Sequence, residues 1–231
     1  MNKNISNQKI LPFATVYLIV LICDLVCSSN DEYLHLRFYT KPSIIGSLII
    51  FLFTQRKSMV RSTFRITMLA LIFSLFGDIF LLFTQTSQLF FITGLVMFLF
   101  AHIMYIVIFF KQRENQRKNR LFSMFTIGYG VILFYVLYPG LEKMLIPVIL
   151  YMIVILLMSN ASFIRSELVS KKSYILVLAG SLFFMLSDSL LAIDMFYTPL
   201  PLGNIWIMLT YASAQFLIVY GIMNQKELLR S

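Results

Sequence analysis

Apolar runs close to twenty residues long recur along this 231-residue chain, each separated from the next by a short polar connection. A run of that length crosses the hydrocarbon core of a bilayer as one helix. In lipid a helix also satisfies its own backbone polar groups. Eight such runs are legible, at roughly 11–28, 38–54, 64–84, 90–110, 121–138, 142–159, 173–194 and 203–222. The expectation is all-α: a polytopic membrane bundle of eight transmembrane helices forming a single transmembrane domain over residues 1–231. The second and sixth runs are the least regular. One opens beside Lys41 and Pro42, the other beside Glu142, Lys143 and Pro147.

Composition agrees with that architecture. The chain is 59% hydrophobic and 13% charged, where soluble domains sit near about half and about a quarter. Little chain is left for a separate soluble domain. The net charge of +9 raises nucleic acid as a partner, but the placement of the charges argues against it. With the N-terminus in the cytoplasm, 16 of the 19 Lys and Arg residues fall in segments on that same side. Only Arg37, Lys41 and Lys143 fall on the other, which is the asymmetry that sets topology in membranes. An odd number of spans would break it, so both termini are expected in the cytoplasm and the chain in a bacterial inner membrane. The polar stretch Lys111–Arg120 is then a solvated cytoplasmic loop rather than a headgroup or partner site. Lys3 and Lys9 ahead of the first run resemble a signal peptide, but no small-x-small site follows, so that run is expected to stay as a span. Cys23 and Cys27, one helical turn apart, are expected to be plain buried thiols.

Acids inside the spans point to function. Asp78 stands in Leu71–Leu82 and Asp188 in Ser181–Leu191, both otherwise suited to hydrocarbon. A carboxyl group there costs a few kcal/mol or more, which marks a functional site or a structural ion pair. Gly77, Ser187 and Ser189 beside them allow another helix or a ligand to approach closely. Counted from the outer helix ends, the two acids lie at a common depth of about 9 Å, with His102 about 18 Å down. At that depth His102 meets the acids only through a slanted cavity or a substrate. Lys41, His102, Tyr105, Tyr151, Tyr211 and Gln215 complete the polar set. Each has a plainer role open to it: snorkelling for Lys41, a satisfied imidazole for His102, packing for the tyrosines. Asp24 and Asp194, nearer helix ends, are expected to be solvated. The matched settings of Gly77-Asp78 and Ser187-Asp188 four spans apart suggest a 4+4 parallel pseudo-repeat.

Several signatures are missing from the chain, among them HExxH, Gly-x-Ser-x-Gly and a Walker loop. With two histidines, His35 and His102, a multi-histidine metal site is excluded, and neither metal nor other cofactor is expected.

Taken in order, Thr40-Lys41-Pro42, Phe73 to Leu81 with Gly77-Asp78, Gly94-Leu95 with Phe98, His102 and Tyr105, Pro147 with Tyr151, Ser187-Asp188, and Tyr211 with Gln215 form a familiar set. The chain resembles the YhhN family of lysoplasmalogenase-like integral membrane proteins, which includes the mammalian TMEM86 proteins, over most of its length. The resemblance implies hydrolysis of the vinyl ether bond of a lysoplasmalogen to a fatty aldehyde and a glycerophospho-ethanolamine or -choline. The implied partners are then the lysophospholipid substrate and membrane lipids; oligomeric state is left open.

That chemistry has definite needs. Vinyl ethers resist base and yield to acid: protonation of the β-carbon gives an oxocarbenium ion, water adds, and the hemiacetal collapses. A proton donor and a second group to stabilise the cation and activate water are required, much as in the paired carboxylates of glycosidases. Burial and a neighbouring acid both favour the protonated form of a carboxyl group in general. Asp78 and Asp188 are therefore the expected acid/base pair, with their roles unassigned. Lys41 is expected to receive the headgroup phosphate, and His102, Tyr105, Tyr151, Tyr211 and Gln215 to position substrate or water. A different class stays open: a transporter or lipid-binding protein that uses the same aspartates to couple protons or substrate.

Overall fold

The computed structural model describes residues 3–111, 120–165 and 169–225, and among these every regular element is helical. In chain order the elements are α1 (Lys3–Ser29), α2 (Arg37–Thr54), α3 (Arg61–Leu81), α4 (Gln88–Phe110), α5 (Arg120–Leu141), α6 (Leu145–Phe163), α7 (Lys171–Phe196) and α8 (Gly203–Met223). Short 3-10 turns, Asp31–Leu36 and Glu142–Met144, lead into α2 and α6. Pro147 falls in the first turn of α6, where its missing N–H has no partner to lose. Ser87 and Ser170 cap α4 and α7 by accepting from Leu89 N and Ser173 N.

Among the described residues, seven segments are long and apolar enough to cross a membrane by length and composition. One of them, Arg120–Phe163, contains both α5 and α6. It bends back at Glu142, whose φ is 39°. Ser123 near the start of α5 donates to Asn160 near the end of α6, so the two helices are an antiparallel pair. Large apolar side chains such as Leu18, Ile22, Val131 and Ile153 are exposed on outward faces. Such surface belongs against lipid, and these are the features of an integral, multi-pass membrane protein.

The tightest packing is within two helix pairs, α3 with α4 and α7 with α8. Each is held close by a glycine. A Cβ on Gly77 would meet the Phe98 ring at 2.7 Å, and one on Gly180 would meet Ile218 N at 2.9 Å and Ala214 O at 3.0 Å. Small residues at helix contacts allow this approach where no hydrophobic force acts between helices in lipid. The core runs between these pairs and α2, through Ile44, Leu48, Tyr105, Phe184 and Ile218.

Helix α1 packs on α2 and α8, with Tyr17, Leu21 and Asp24 on its covered face. Cys27 lies at the edge of that face and is buried, whereas Cys23 is farther round the helix and exposed. The expectation of two buried thiols therefore fails at Cys23.

Candidate active site

At the end of the bundle where α2 and α8 begin and α3 and α7 end, the helices enclose a cavity of about 410 Å³. Its wall includes Arg37 and Lys41 from α2, Asp78 from α3, Asp188 from α7 and Tyr211 from α8. Phe98 from α4 contributes an apolar patch between them. Both intramembrane acids thus face one space.

Asp78 is almost sealed, with 1% of its surface exposed. Tyr211 Oη donates to its Oδ2 at 2.8 Å, and Lys41 Nζ stands 4.0 Å from its Oδ1. The tyrosine is backed in turn by Gln215, whose Nε2 donates to Ser74 Oγ at 2.9 Å and to Tyr211 Oη at 3.4 Å. Tyr105 Oη donates to Gln215 Oε1 at 2.7 Å. This arrangement follows from helix geometry. Ser74 and Asp78 are four residues apart on α3, as are Tyr211 and Gln215 on α8, so each pair shares a face and the two faces meet.

Asp188 is more open, with 15% of its side chain exposed. Tyr151 Oη donates to its Oδ2 at 2.5 Å, and His102 Nε2 is 3.9 Å from the same oxygen. The imidazole is buried edge-on to Phe184 and Tyr151, at centroid distances of 4.5 and 5.3 Å. Neither of its nitrogens has a hydrogen-bond partner among the described residues. Ser187 Oγ, beside the acid, donates to Ile207 O and ties α7 to α8.

A third acid lies close by. Asp24 is fully buried, accepts from Thr40 Oγ1 at 2.6 Å and lies 3.8 Å from Arg37 Nε. The expectation that Asp24 is solvated is thereby corrected: α1 and α2 close over it, and Arg37 and Thr40 compensate its burial. Asp194 is half-buried rather than freely solvated, since its Oδ1 accepts from Leu200 N at 2.7 Å in the α7–α8 connection.

Lys41, Asp78, Asp188 and Tyr211 therefore share the cavity wall, while His102, Tyr105, Tyr151 and Gln215 stand behind it. Tyr151 and His102 touch Asp188 directly, and Tyr105 and Gln215 act on the Asp78 side through Tyr211. The expected depth of His102 is corrected by its 3.9 Å approach to Asp188. Counting residues from helix ends assumes level ends, but α3 stops three residues after Asp78 and α7 continues eight beyond Asp188. Arg37, which the charge asymmetry assigns to topology alone, also lines this cavity. Its place one turn before Lys41 on the same helix face was the available signal. Among the described residues, no three His, Cys, Asp or Glu side chains converge as a metal would require. Chemically, the site offers two carboxyl groups, two phenol donors and two cations around a space open to small polar groups.

The model of the YhhN family matches residues 36–222 of the chain. Among curated proteins, the chain is similar to a bovine (Bos taurus) protein named lysoplasmalogenase TMEM86A, 30% identical over 161 residues. It is similar to the human (Homo sapiens) protein of the same name at 28% over 165 residues. Each alignment takes in 68% of this chain and 65% of the relative, so the chain spans just under two thirds of those proteins' length. No solved structure matches.

Proposed function

The chain belongs to the YhhN family, and on that premise we propose that it hydrolyses the vinyl ether bond of a lysoplasmalogen. The names of the relatives support the reaction class. The observation that carries it is the pair of aspartates on one cavity wall, each held by a tyrosine hydroxyl. Asp188, with no ammonium or guanidinium paired to it among the described residues, is the proton donor. Asp78, beside Lys41, is the ionised partner.

In this mechanism Asp188 gives its proton to the β-carbon of the vinyl ether, and the C=C electron pair forms the new C–H bond. The resulting oxocarbenium ion faces the Asp78 carboxylate, which stabilises developing positive charge in a site of fixed dipoles. Water adds to the cationic carbon and returns a proton to Asp188. The hemiacetal then collapses: its hydroxyl proton passes to the departing glycerol oxygen, and aldehyde and alcohol leave. Arg37 and Lys41 on the cavity wall take the headgroup phosphate, a match of cation to phosphate oxygen.

We further propose eight crossings with both termini cytoplasmic in a bacterial inner membrane, built as a 4+4 repeat. The support is the way the acids are held. Asp78 on α3 takes Lys41 from the preceding helix and Tyr211 from α8, the last helix of the other half. Asp188 on α7 takes Tyr151 from the preceding helix and His102 from α4, again the last helix of the other half. A 3-10 turn precedes the second helix of each half. A repeat around a shared polar site is also what a transporter would show, and that is the second reading.

One experiment separates them. Purified protein in detergent, given a 1-alkenyl lysophospholipid in D2O, is expected to release aldehyde carrying one deuterium on the carbon next to the carbonyl. No aldehyde from any alkenyl lysolipid in detergent, with uptake in sealed vesicles, removes the hydrolase reading in favour of transport.

A further inference from the structure

Two more cavities lead on from the acid site, the second of them a groove open on the outer face of α5 and α6. Asp188 also lines a small space of about 40 Å³, together with Tyr151, Tyr129 and Ser189. Gly130, Met152 and Leu156 line that space and, on their other side, a groove of about 610 Å³ between α5 and α6. Three cavities thus stand in series and share walls: the polar cavity, a narrow passage and a long groove.

Their chemistry changes in the same order. The first holds Arg37, Lys41 and the two acids. The groove is lined by apolar side chains apart from Ser123 and Asn160, which are bonded to each other at its far end. Asn160 is further occupied by Thr126 Oγ1 and Leu156 O, so it offers the groove little hydrogen-bonding capacity. Along α6 the groove runs from Ile149 to Ile164, or about 22 Å of helix. The passage is narrow at one contact: a Cβ on Gly130 would meet Leu156 Cδ1 at 2.6 Å. That atom is the tip of a flexible side chain, so the passage widens when Leu156 changes rotamer.

We propose that the α5–α6 groove is the binding site for the single aliphatic chain of the lysolipid, which threads from the acid site past Leu156 and Gly130. The inference rests on the proposed hydrolase reading for the identity of the lipid, and on the shared cavity walls for the path. A lipid with its phosphate at Arg37 and Lys41 places the atoms next to its headgroup at Asp78 and Asp188. Its chain then leaves by the side of Asp188 away from the cations. Bulk lipid has no reason to respect that order, because only an amphiphile anchored at the polar cavity is held in register with the passage.

The probe is a saturated 1-O-alkyl lysophosphocholine, which has no vinyl ether to cleave, carrying a diazirine near the end of its chain. Photolysis with purified wild-type protein in detergent is expected to label groove residues such as Ile127, Val131, Ile153 and Leu157. Excess unlabelled 1-O-hexadecyl lysophosphocholine is expected to compete the label away. Gly130→Leu and, independently, Leu156→Phe fill the passage from opposite helices, and each is expected to cut groove labelling at least tenfold. Two variants guard against one failing to fold. Labelling spread equally over the outer face of α1, at Leu18 and Ile22, and not competed would mean bulk lipid only and overturn the proposal. So would undiminished groove labelling in both folded variants. Competed groove labelling in a protein that cleaves no alkenyl lipid leaves the chain site standing and removes the hydrolase reading. Aldehyde release with diffuse labelling does the reverse.

Discussion

The two aspartates stand on one cavity wall and differ in what faces them. Asp78 is almost sealed and stands against an ammonium group; Asp188 is partly open and stands against an imidazole. Each accepts one phenol hydrogen bond, so the tyrosines do not distinguish them. The difference is the cation. A buried carboxylate needs a compensating charge, and removing one partner of such a pair costs about 3–5 kcal/mol. In the proposed mechanism the side with Lys41 keeps a negative charge, and the side with His102 hands over a proton.

Substitutions can break or sharpen this contrast. Asp188→Asn should have the largest effect, lowering aldehyde release by roughly a thousandfold, the middle of the range for a lost general acid. Asp78→Asn should follow at about a hundredfold, because a neutral amide still offers a dipole to the cation. Both are read from initial rates of purified variants in detergent. Lys41→Met should cost about tenfold to a hundredfold and lower the melting temperature, while the same loss on the other side, His102→Phe, should change the rate without removing a charge partner. Equal thermal shifts in the two would contradict the assignment of the cation to Asp78 alone.

The tyrosines predict smaller and matched effects. Tyr151→Phe and Tyr211→Phe should each reduce kcat by about tenfold, with KM little changed, for one lost hydrogen bond of about 1.5 kcal/mol to a charged or polar acceptor. A KM effect alone would assign them to lipid binding. The smallest contrast concerns the helix pairs. Gly180→Ala pushes into backbone atoms of α8, but Gly77→Ala meets only the Phe98 ring. Overpacking of this kind costs about 1–3 kcal/mol, and Gly180→Ala should show the larger drop in melting temperature. The opposite order would mean that Phe98 has no room to move.

Much of this was legible in the residues alone. An acid in an apolar run is expensive enough to stand out, and that one criterion found Asp78 and Asp188, which the fold then brings to one cavity. Lys41 and Tyr211 were legible as polar groups in the same kind of setting. What stayed hidden depends on how helices are placed against each other. The apolar surface of each span is exposed to lipid as well as to neighbours, so periodicity gives little indication of which face is inward. Asp24 illustrates this: its burial comes from α2 lying across it with Arg37 and Thr40, a contact between helices that no spacing within α1 announces. The approach of His102 to Asp188 is hidden for a related reason, since depth counted along one helix says nothing of the level at which its neighbour ends. The passage at Gly130 and Leu156 needs two facing helices to exist at all.

The central claim is that both acids act on one bound lipid, and the double variant Asp78→Asn/Asp188→Asn tests it most directly. Groups that act as a unit are strongly non-additive, so its kcat/KM for an alkenyl lysophospholipid should be no lower than that of Asp188→Asn alone, within about threefold. Losses that multiply, leaving the double variant at the product of the two single effects, would place the aspartates in independent roles and contradict the account.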